Sequence, residues 1–161
     1  GADGEKVVTF EQDGETKSVA ANEILQALGR RPNIDHLNLS EAGIETAASG
    51  HIVCNEFQQT SQPHIYAAGD VCGPHEVVHI AIEQGENAAE TAAIDLEMKS
   101  GEKKAISYRL KLLGIFTDPQ VAMVGLTESE AKVQGIDFQA ASYPFDDHGK
   151  SMIMGELHGS V

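Results

Sequence analysis

The sequence predicts a mixed α/β (α+β) fold, and three patterns support this prediction. Short runs of alternating β-branched and aromatic residues near the beginning are typical of strands. Apolar residues then recur about four positions apart over residues 76–98, which is typical of a helix. A separate strand-helix-strand pattern follows, so we expect more than one domain to be represented.

The first predicted element is a β-hairpin. Residues 6–11 alternate in character and are rich in β-branched and aromatic side chains, and a second run covers residues 17–20. Asp13 and Gly14 stand between the two runs and form a turn signal that is common in hairpins. We therefore expect the two runs to pair.

Three more strands are predicted before the helix. The apolar run Glu23–Leu28 ends ahead of Pro32, which lacks a backbone N–H and forces the residue before it toward extended geometry. The runs His51–Cys54 and His64–Ala68 are also strand-like, and the second leads into a glycine-containing loop at residues 71–74. Because glycine has no side chain, the backbone can approach a ligand closely in such a loop.

The long helix is predicted from about Glu76 to Met98, with two apolar stripes and most of its surface buried. After a polar break, the sequence predicts a strand at Gln120–Gly125, a helix at Thr127–Gln134 and a strand near Phe138–Pro144. These elements belong to the second half of the chain.

The ends of the second helix carry their own signals. Thr127 and Glu130 match a capping box, and Gly135 matches a C-terminal cap. Nearer the end of the chain, the apolar cluster Met152–Met154 is expected to lie in the core of a strand.

Charge and composition exclude several classes of partner. The formal net charge is -14, from 25 acidic and 11 basic residues, and it would repel nucleic-acid phosphates and anionic lipid head groups. No stretch approaches the roughly 18 consecutive apolar residues of a membrane span, and the first residues lack the order of a signal peptide. We expect a cytoplasmic protein that binds neither nucleic acid nor membrane.

Two cysteines, Cys54 and Cys72, stand 18 positions apart, which is neither a CxxC pair nor a metal-ligand spacing. We expect each to be a small, buried or half-buried residue. A reducing compartment disfavours a disulfide between them.

The segment from Thr60 to Asp70 has the strongest chemical pattern. A predicted strand delivers the Asp70 carboxylate to a glycine-containing loop in front of the long helix. A carboxylate at a strand end can accept hydrogen bonds from sugar or polyol hydroxyls, and a helix N-terminus offers N–H groups and partial positive charge. Local chemistry leaves two interpretations open, a ligand-binding loop and a plain turn capped by Asp70.

Three segments resemble motifs of one family, in the order and spacing of that family. The segment TSQPHIYAAGDV resembles a second flavin-binding motif, written roughly T-x-x-x-h-a-A-x-G-D. The segment ILQALGRRPN precedes it in the chain. The segment GIFTDPQVAMVGLTESEA follows and resembles the opening of a dimerisation domain. The family is the pyridine nucleotide-disulfide oxidoreductases of the dihydrolipoamide dehydrogenase, mercuric reductase and glutathione reductase type. The resemblance covers nearly the whole chain.

This resemblance implies a division of the chain into three parts. Residues 1–33 would end an NAD(P)-binding domain, residues 34–104 would form the returning segment of an FAD-binding domain, and residues 105–161 would begin an α+β dimerisation domain. It also implies FAD and NAD or NADP as cofactors, and a homodimer formed through residues 105–161. The parent enzyme would pass a hydride from NAD(P)H through flavin to a disulfide or related acceptor.

The same resemblance assigns roles to individual residues. Asp70 matches the aspartate whose carboxylate binds a ribityl hydroxyl of FAD. The start of the helix, at Val77, Val78 and His79, matches the part that lies beside the flavin pyrimidine. A strand end and loop that approach the nicotinamide and the flavin are matched by Ala27, Leu28, Gly29 and Arg30. The family more often has Ala-Thr-Gly or a similar triplet where this chain has Ala-Leu-Gly.

Other motifs of the family do not occur in these 161 residues. The sequence contains no Gly-x-Gly-x-x-Gly, no Cys-x-x-x-x-Cys and no His-Pro-Thr segment. We therefore expect a piece of a longer protein with no catalytic residue in it, and we expect this piece alone to be inactive.

Two alternatives belong to other functional classes. The chain could act as a non-catalytic binding or dimerisation module. It also contains HEVVH at residues 75–79, a pattern that on a helix places two imidazoles as zinc ligands of a hydrolase. The metzincin continuation fails at Ile82 and Gly85, so we expect no metal at His75 and His79.

Overall fold

The computed structural model describes residues 4–161, which are mixed helix and strand. The chain divides into two compact units at Arg31 and Pro32. The first unit holds strands β1 and β2, at Lys6–Gln12 and Glu15–Ala21. The second begins with helix α1 (Val78–Asp95), followed by strands β3 (Leu112–Ile115) and β4 (Val121–Val124). Helix α2 (Glu128–Val133), a 3-10 turn (Phe145–Asp147) and helix α3 (Gly149–Met154) come after them.

The first unit contains the predicted hairpin. Strands β1 and β2 pair antiparallel in a continuous register from Lys6 opposite Ala21 to Gln12 opposite Glu15. Asp13 and Gly14 both have positive φ, at 54° and 76°, which is the backbone of the two-residue turn that matches strand twist. The hairpin prediction is confirmed.

The strand predicted at Glu23–Leu28 is wrong. Residues 23–28 have no regular secondary structure, and Leu25 and Leu28 are exposed. An apolar run becomes a strand only when a neighbouring strand supplies partners for its backbone groups, and in the described residues 4–161 no strand pairs with it.

The strands predicted at His51–Cys54 and His64–Ala68 are reduced to isolated bridges. These bridges join Thr46 to Ile52, Cys54 to Thr60 and Gln59 to Tyr66. A tight turn at residues 55–58 connects the bridged residues Cys54 and Thr60. The Gln58 N–H donates to the Asn55 carbonyl at 3.0 Å, and Gln58 has a left-handed backbone with φ of 62°. The chain is therefore held here by turns rather than by a sheet.

Helix α1 is shorter at both ends than predicted. Val77 before it is extended, at φ −133° and ψ 133°, and Glu97 after it has a positive φ of 58°. Its buried residues form one stripe rather than two, at Ile80, Gln84, Ala88 and Thr91. Neither this nor any other helix within residues 4–161 is long and apolar enough to cross a membrane.

The second hairpin and α2 follow. Strand β4 confirms the predicted strand at Gln120–Gly125, while its antiparallel partner β3 was not predicted. At the start of α2, the Glu130 N–H donates to Thr127 Oγ1 at 3.2 Å, and the Thr127 N–H donates to Glu130 Oε2 at 2.8 Å. Gly135 follows the helix with φ of 66°. The capping box and the glycine cap are confirmed.

A lysine with a mostly buried side chain forms an ion pair with Glu130 of this cap. The Lys111 ammonium donates to Glu130 Oε1, and only 8% of the Lys111 side chain is exposed. The hydrogen bond from Lys111 comes first among the contacts that lower the pKa of Glu130 to about 2, followed by those from Thr127. One carboxylate thus caps α2 and neutralises Lys111.

Two predictions for the last part of the chain are wrong. Residues 138–144 form no strand, and only Pro144 makes a bridge, to Ser160. Residues 152–154 lie in helix α3 and are exposed, whereas Ser151 is the buried residue of that helix. Helix α3 has only six residues, so only one short face of it is buried. On that face, His148 Nδ1 lies 3.0 Å from Ser151 Oγ.

Candidate functional site

The Asp70 loop connects residues 65–68 to helix α1. Asp70 is exposed and follows the buried Gly69, whose φ is 84°. A turn closes behind it, since the Cys72 N–H donates to the Gly69 carbonyl at 3.0 Å. The carboxylate is therefore presented from the corner of a tight turn.

Gln84 of α1 holds both ends of this loop. The Gly69 N–H donates to Gln84 Oε1 at 2.6 Å, and Gln84 Nε2 donates to the Gly73 carbonyl at 2.6 Å. The Gln84 side chain is completely buried. Two short hydrogen bonds from one buried amide fix the loop to the helix behind it.

Two further residues complete this buried network. Tyr108 Oη accepts from Gln84 Nε2 at 2.8 Å and from Gln58 Nε2 at 3.4 Å. Gln58 is itself buried, and its carbonyl accepts from the Ala67 N–H at 3.0 Å, just before the loop. The loop is thus positioned from three separate parts of the chain.

Glycine occupies both ends of the loop, where the backbone is left-handed. Gly69 has a left-handed backbone, and a Cβ placed on it would lie 3.5 Å from the Ala81 Cβ in the first turns of α1. Gly73 also has a positive φ, of 61°, and its position packs against the His51 ring. The loop therefore lies close against the beginning of α1, as a ligand-binding loop needs.

The start of α1 offers backbone donors. Its N-cap residue, Val77, makes no side-chain capping bond, and its first turn holds no acidic residue. Val77 is half-buried, whereas Val78 and His79 are exposed. Uncapped N–H groups at a helix start carry partial positive charge, which suits a polar or anionic group.

His79 also lines a surface cavity between the beginning of α1 and residues 107–112. The cavity has a volume of about 310 Å³, and its lining includes Glu83, Ser107 and Lys111. Ile80, Leu110 and Leu112 line it as well, so charged, hydroxyl and apolar groups share its surface.

The predicted site residues fall in both units. Within the second unit, Asp70 and the helix start at Val77–His79 stand at the two ends of one loop-helix junction. Ala27, Leu28, Gly29 and Arg30 are all exposed, but they lie in the irregular segment of the first unit rather than at the end of a strand.

The HEVVH segment does not form the continuous helix that a zinc site of this pattern needs. His75 lies in the loop before α1, so His75 and His79 do not share a helix face. Instead, the His75 ring contacts the Tyr108 ring edge-on at 5.4 Å, and burial, then Lys111, lowers its pKa. No group of three potential metal ligands occurs among residues 4–161.

Gln84, Gln58 and Tyr108 were missed by reasoning from the sequence. The one available signal was a polar residue inside an apolar stripe, since Gln84 follows Ile80 by four positions and precedes Ala88 by four. Gln58 and Tyr108 lie in irregular segments, where no periodicity marks them.

Comparison with known proteins places the chain. The model of the pyridine nucleotide-disulphide oxidoreductase family matches residues 1–85, and the model of that family's dimerisation domain matches residues 113–161. Dihydrolipoyl dehydrogenase of Bacillus subtilis is 38% identical over 152 residues, which are 94% of this chain and 31% of that protein. Mercuric reductase of Staphylococcus aureus is 35% identical over 152 residues, which are 94% of this chain and 27% of that protein.

Solved structures share the fold. LpdA from Mycobacterium tuberculosis aligns with a TM-score of 0.71 at 23% identity, over 89% of this chain and 30% of its own. The HOCl-induced flavoprotein disulfide reductase RclA from Escherichia coli aligns with a TM-score of 0.70 at 24% identity, over 94% of this chain and 33% of its own.

The chain spans about a third of the length of the curated relatives it matches. The family model covers 85 of the 161 residues, and the dimerisation model covers most of the second half. The chain therefore belongs to the pyridine nucleotide-disulphide oxidoreductase family.

Proposed function

We propose that the whole protein is an FAD-dependent oxidoreductase that transfers a hydride from NADH or NADPH through flavin to a disulfide or related acceptor. One observation carries this proposal: an exposed carboxylate, Asp70, lies on a loop that Gln84 fixes against the start of α1, whose N-cap residue Val77 provides no side-chain cap. Family membership supports the choice of flavin as the ligand of this junction.

The residues of the junction fit a flavin with its ribityl chain. The Asp70 carboxylate would accept a hydrogen bond from a ribityl hydroxyl, and the side-chain-free Gly69 lets the backbone come close. The N–H groups at Val77–His79 would face the pyrimidine, where the helix dipole favours negative charge. FAD supplies the two-electron chemistry, while these residues bind and orient it.

We propose the same division of the chain as the sequence predicts. Residues 1–33 would end the NAD(P)-binding domain, residues 34–104 would belong to the FAD-binding domain, and residues 105–161 to the dimerisation domain. The change of compact unit at Arg31 and Pro32 supports the first boundary. Ala27–Arg30, which are exposed, would approach the nicotinamide.

A homodimer formed through residues 105–161 follows from the same proposal. The family's dimerisation model matches residues 113–161. Several large apolar side chains of this part are exposed, among them Leu110, Phe116, Val133 and Ile153. Burial of such side chains against a second copy would stabilise a dimer.

The proposal is tested on the purified whole protein. We expect flavin absorbance in stoichiometric amount, and bleaching of that absorbance when NADH or NADPH is added without oxygen. A colourless whole protein that neither takes up FAD nor oxidises either nucleotide would refute it. We expect the 161-residue chain alone to show no such activity.

A further inference from the structure

The fold brings Cys54 and Cys72 together although they stand 18 positions apart. The backbone pairs their segments, since the Ile52 N–H donates to the Val71 carbonyl at 2.8 Å. Both thiols are reduced and half-buried, they line the same two surface cavities, and each comes first among the groups that shift the other's pKa. Neighbouring free thiols can be joined by oxidation to a disulfide.

We propose that Cys54 and Cys72 are a redox modification site, which low-molecular-mass disulfides oxidise reversibly to an intrachain disulfide. This site does not depend on the flavin chemistry proposed above. Its product would join the segment at Ile52–Cys54 covalently to the loop that carries Asp70.

The surroundings give the two sulfur atoms different roles. Four acceptor oxygens surround the Cys72 thiol. The Gly69 carbonyl lies at 3.3 Å, and the Gly73 carbonyl and the side-chain oxygens of Gln58 and Gln84 each lie at 3.8 Å. These acceptors favour the protonated thiol, so Cys72 keeps its proton. The hydrogen bond from Cys72 lowers the pKa of Cys54, whereas the same contact and burial raise the pKa of Cys72. Cys54 is therefore the attacking thiolate and Cys72 the resolving thiol.

Solvent reaches the pair from two sides. Cys54 and Cys72 both line a surface cavity of about 170 Å³, which also includes Glu56 and Tyr108. Both line a second cavity, of about 490 Å³, next to Ser49 and His51. The larger cavity gives a small disulfide the wider approach to the pair.

The reaction proceeds by two thiol-disulfide exchanges. The Cys54 thiolate attacks one sulfur of the small disulfide, forms a mixed disulfide and releases one small thiolate. Cys54 then no longer carries the charge that raises the pKa of Cys72, so the Cys72 thiol gives up its proton, attacks Cys54 Sγ and releases the second small thiol. The two cysteines lose two electrons and two protons, and the small disulfide gains them.

The test is peptide mapping of the intact protein after incubation with oxidised glutathione. Free thiols are blocked with N-ethylmaleimide, and Glu-C protease then cleaves after Glu45, Glu56 and Glu76, which places Cys54 in peptide 46–56 and Cys72 in peptide 57–76. We expect these two peptides to be joined, with a mass lower by two hydrogen atoms, and to separate on treatment with dithiothreitol. Recovery of both as separate peptides, blocked or glutathionylated, would overturn the proposal.

Two serine variants test the order of attack. In Cys72→Ser we expect peptide 46–56 to accumulate glutathione, because the resolving thiol is gone. In Cys54→Ser we expect peptide 57–76 to remain free of glutathione over the same time. Equal uptake of glutathione in the two variants would contradict the assigned roles.

Discussion

The side-chain oxygen of Gln84 accepts the backbone N–H of Gly69 at 2.6 Å, one residue before Asp70. The same amide donates to the far end of the loop, at Gly73. The position of the Asp70 carboxylate therefore depends on a buried side chain of α1 that touches no proposed ligand itself.

Replacement of Gln84 by leucine should destabilise the protein. The change leaves the buried Gly69 N–H and the Gly73 carbonyl without their partner, and each such group costs about 1–3 kcal/mol. We expect a loss of roughly 2–6 kcal/mol in the free energy of unfolding, measured by denaturant titration of the whole protein. Glu86→Leu, at an exposed position of the same helix, is the control. Equal stability of the two variants would show that the loop does not need Gln84.

Replacement of Asp70 by alanine should weaken FAD binding in the whole protein. The change removes a charge-assisted hydrogen bond worth about 1.5–3 kcal/mol, or roughly ten- to a hundredfold in affinity. Reconstitution of the apoprotein with FAD measures this effect, and thermal unfolding serves as the control.

The alternative role for Asp70 gives the opposite result. If Asp70 only caps the turn before α1, the alanine variant should lose about 1 kcal/mol of stability and keep its flavin affinity. That outcome would remove Asp70 from the proposed site.

The ion pair of Lys111 and Glu130 should make stability depend on pH. Folding holds the pKa of Glu130 at about 2, below its ordinary 4.5, chiefly through Lys111, so the folded state favours the charged carboxylate. This contribution is complete above pH 4.5 and disappears as the pH falls to about 2. We expect the thermal midpoint of the native protein to fall more steeply over this interval than that of Glu130→Gln. Parallel curves for the two proteins would contradict the assignment.

Phe116 should contribute to the proposed dimer. Its side chain is 91% exposed in the single chain, and it lies within residues 105–161. We expect Phe116→Ser to shift the whole protein toward monomer in sedimentation velocity experiments at micromolar concentration. Phe10→Ser, in strand β1 outside this part, is the control and should leave the distribution unchanged.

Local signals in the sequence predicted those elements that depend on few neighbours. The hairpin turn at Asp13 and Gly14 and the capping box of Thr127 and Glu130 each involve residues within three positions of one another, so their chemistry is visible in the sequence. The family resemblance added Asp70 and the start of α1 in the same way, through short motifs.

The remaining elements depend on distant partners. Gln84 meets Tyr108 across 24 positions, and Gln58 meets the same hydroxyl across 50. Residues 23–28 and 138–144 have the composition of strands, yet in the described part of the chain no neighbouring strand supplies a complete ladder for them. Pairing over such separations leaves no periodic trace in a single sequence.

The bare start of α1 also gives the protein an intrinsic reporter. Within the helix, the Ala81 N–H donates to the Val77 carbonyl at 3.0 Å, so the amides of Val78 and His79 precede the first intrahelical bond. Because both residues are exposed and the N-cap residue Val77 makes no side-chain capping bond, their amide hydrogens should exchange rapidly with deuterated solvent. Any molecule that covers this end of the helix should slow the exchange at these two positions, whether or not it is coloured.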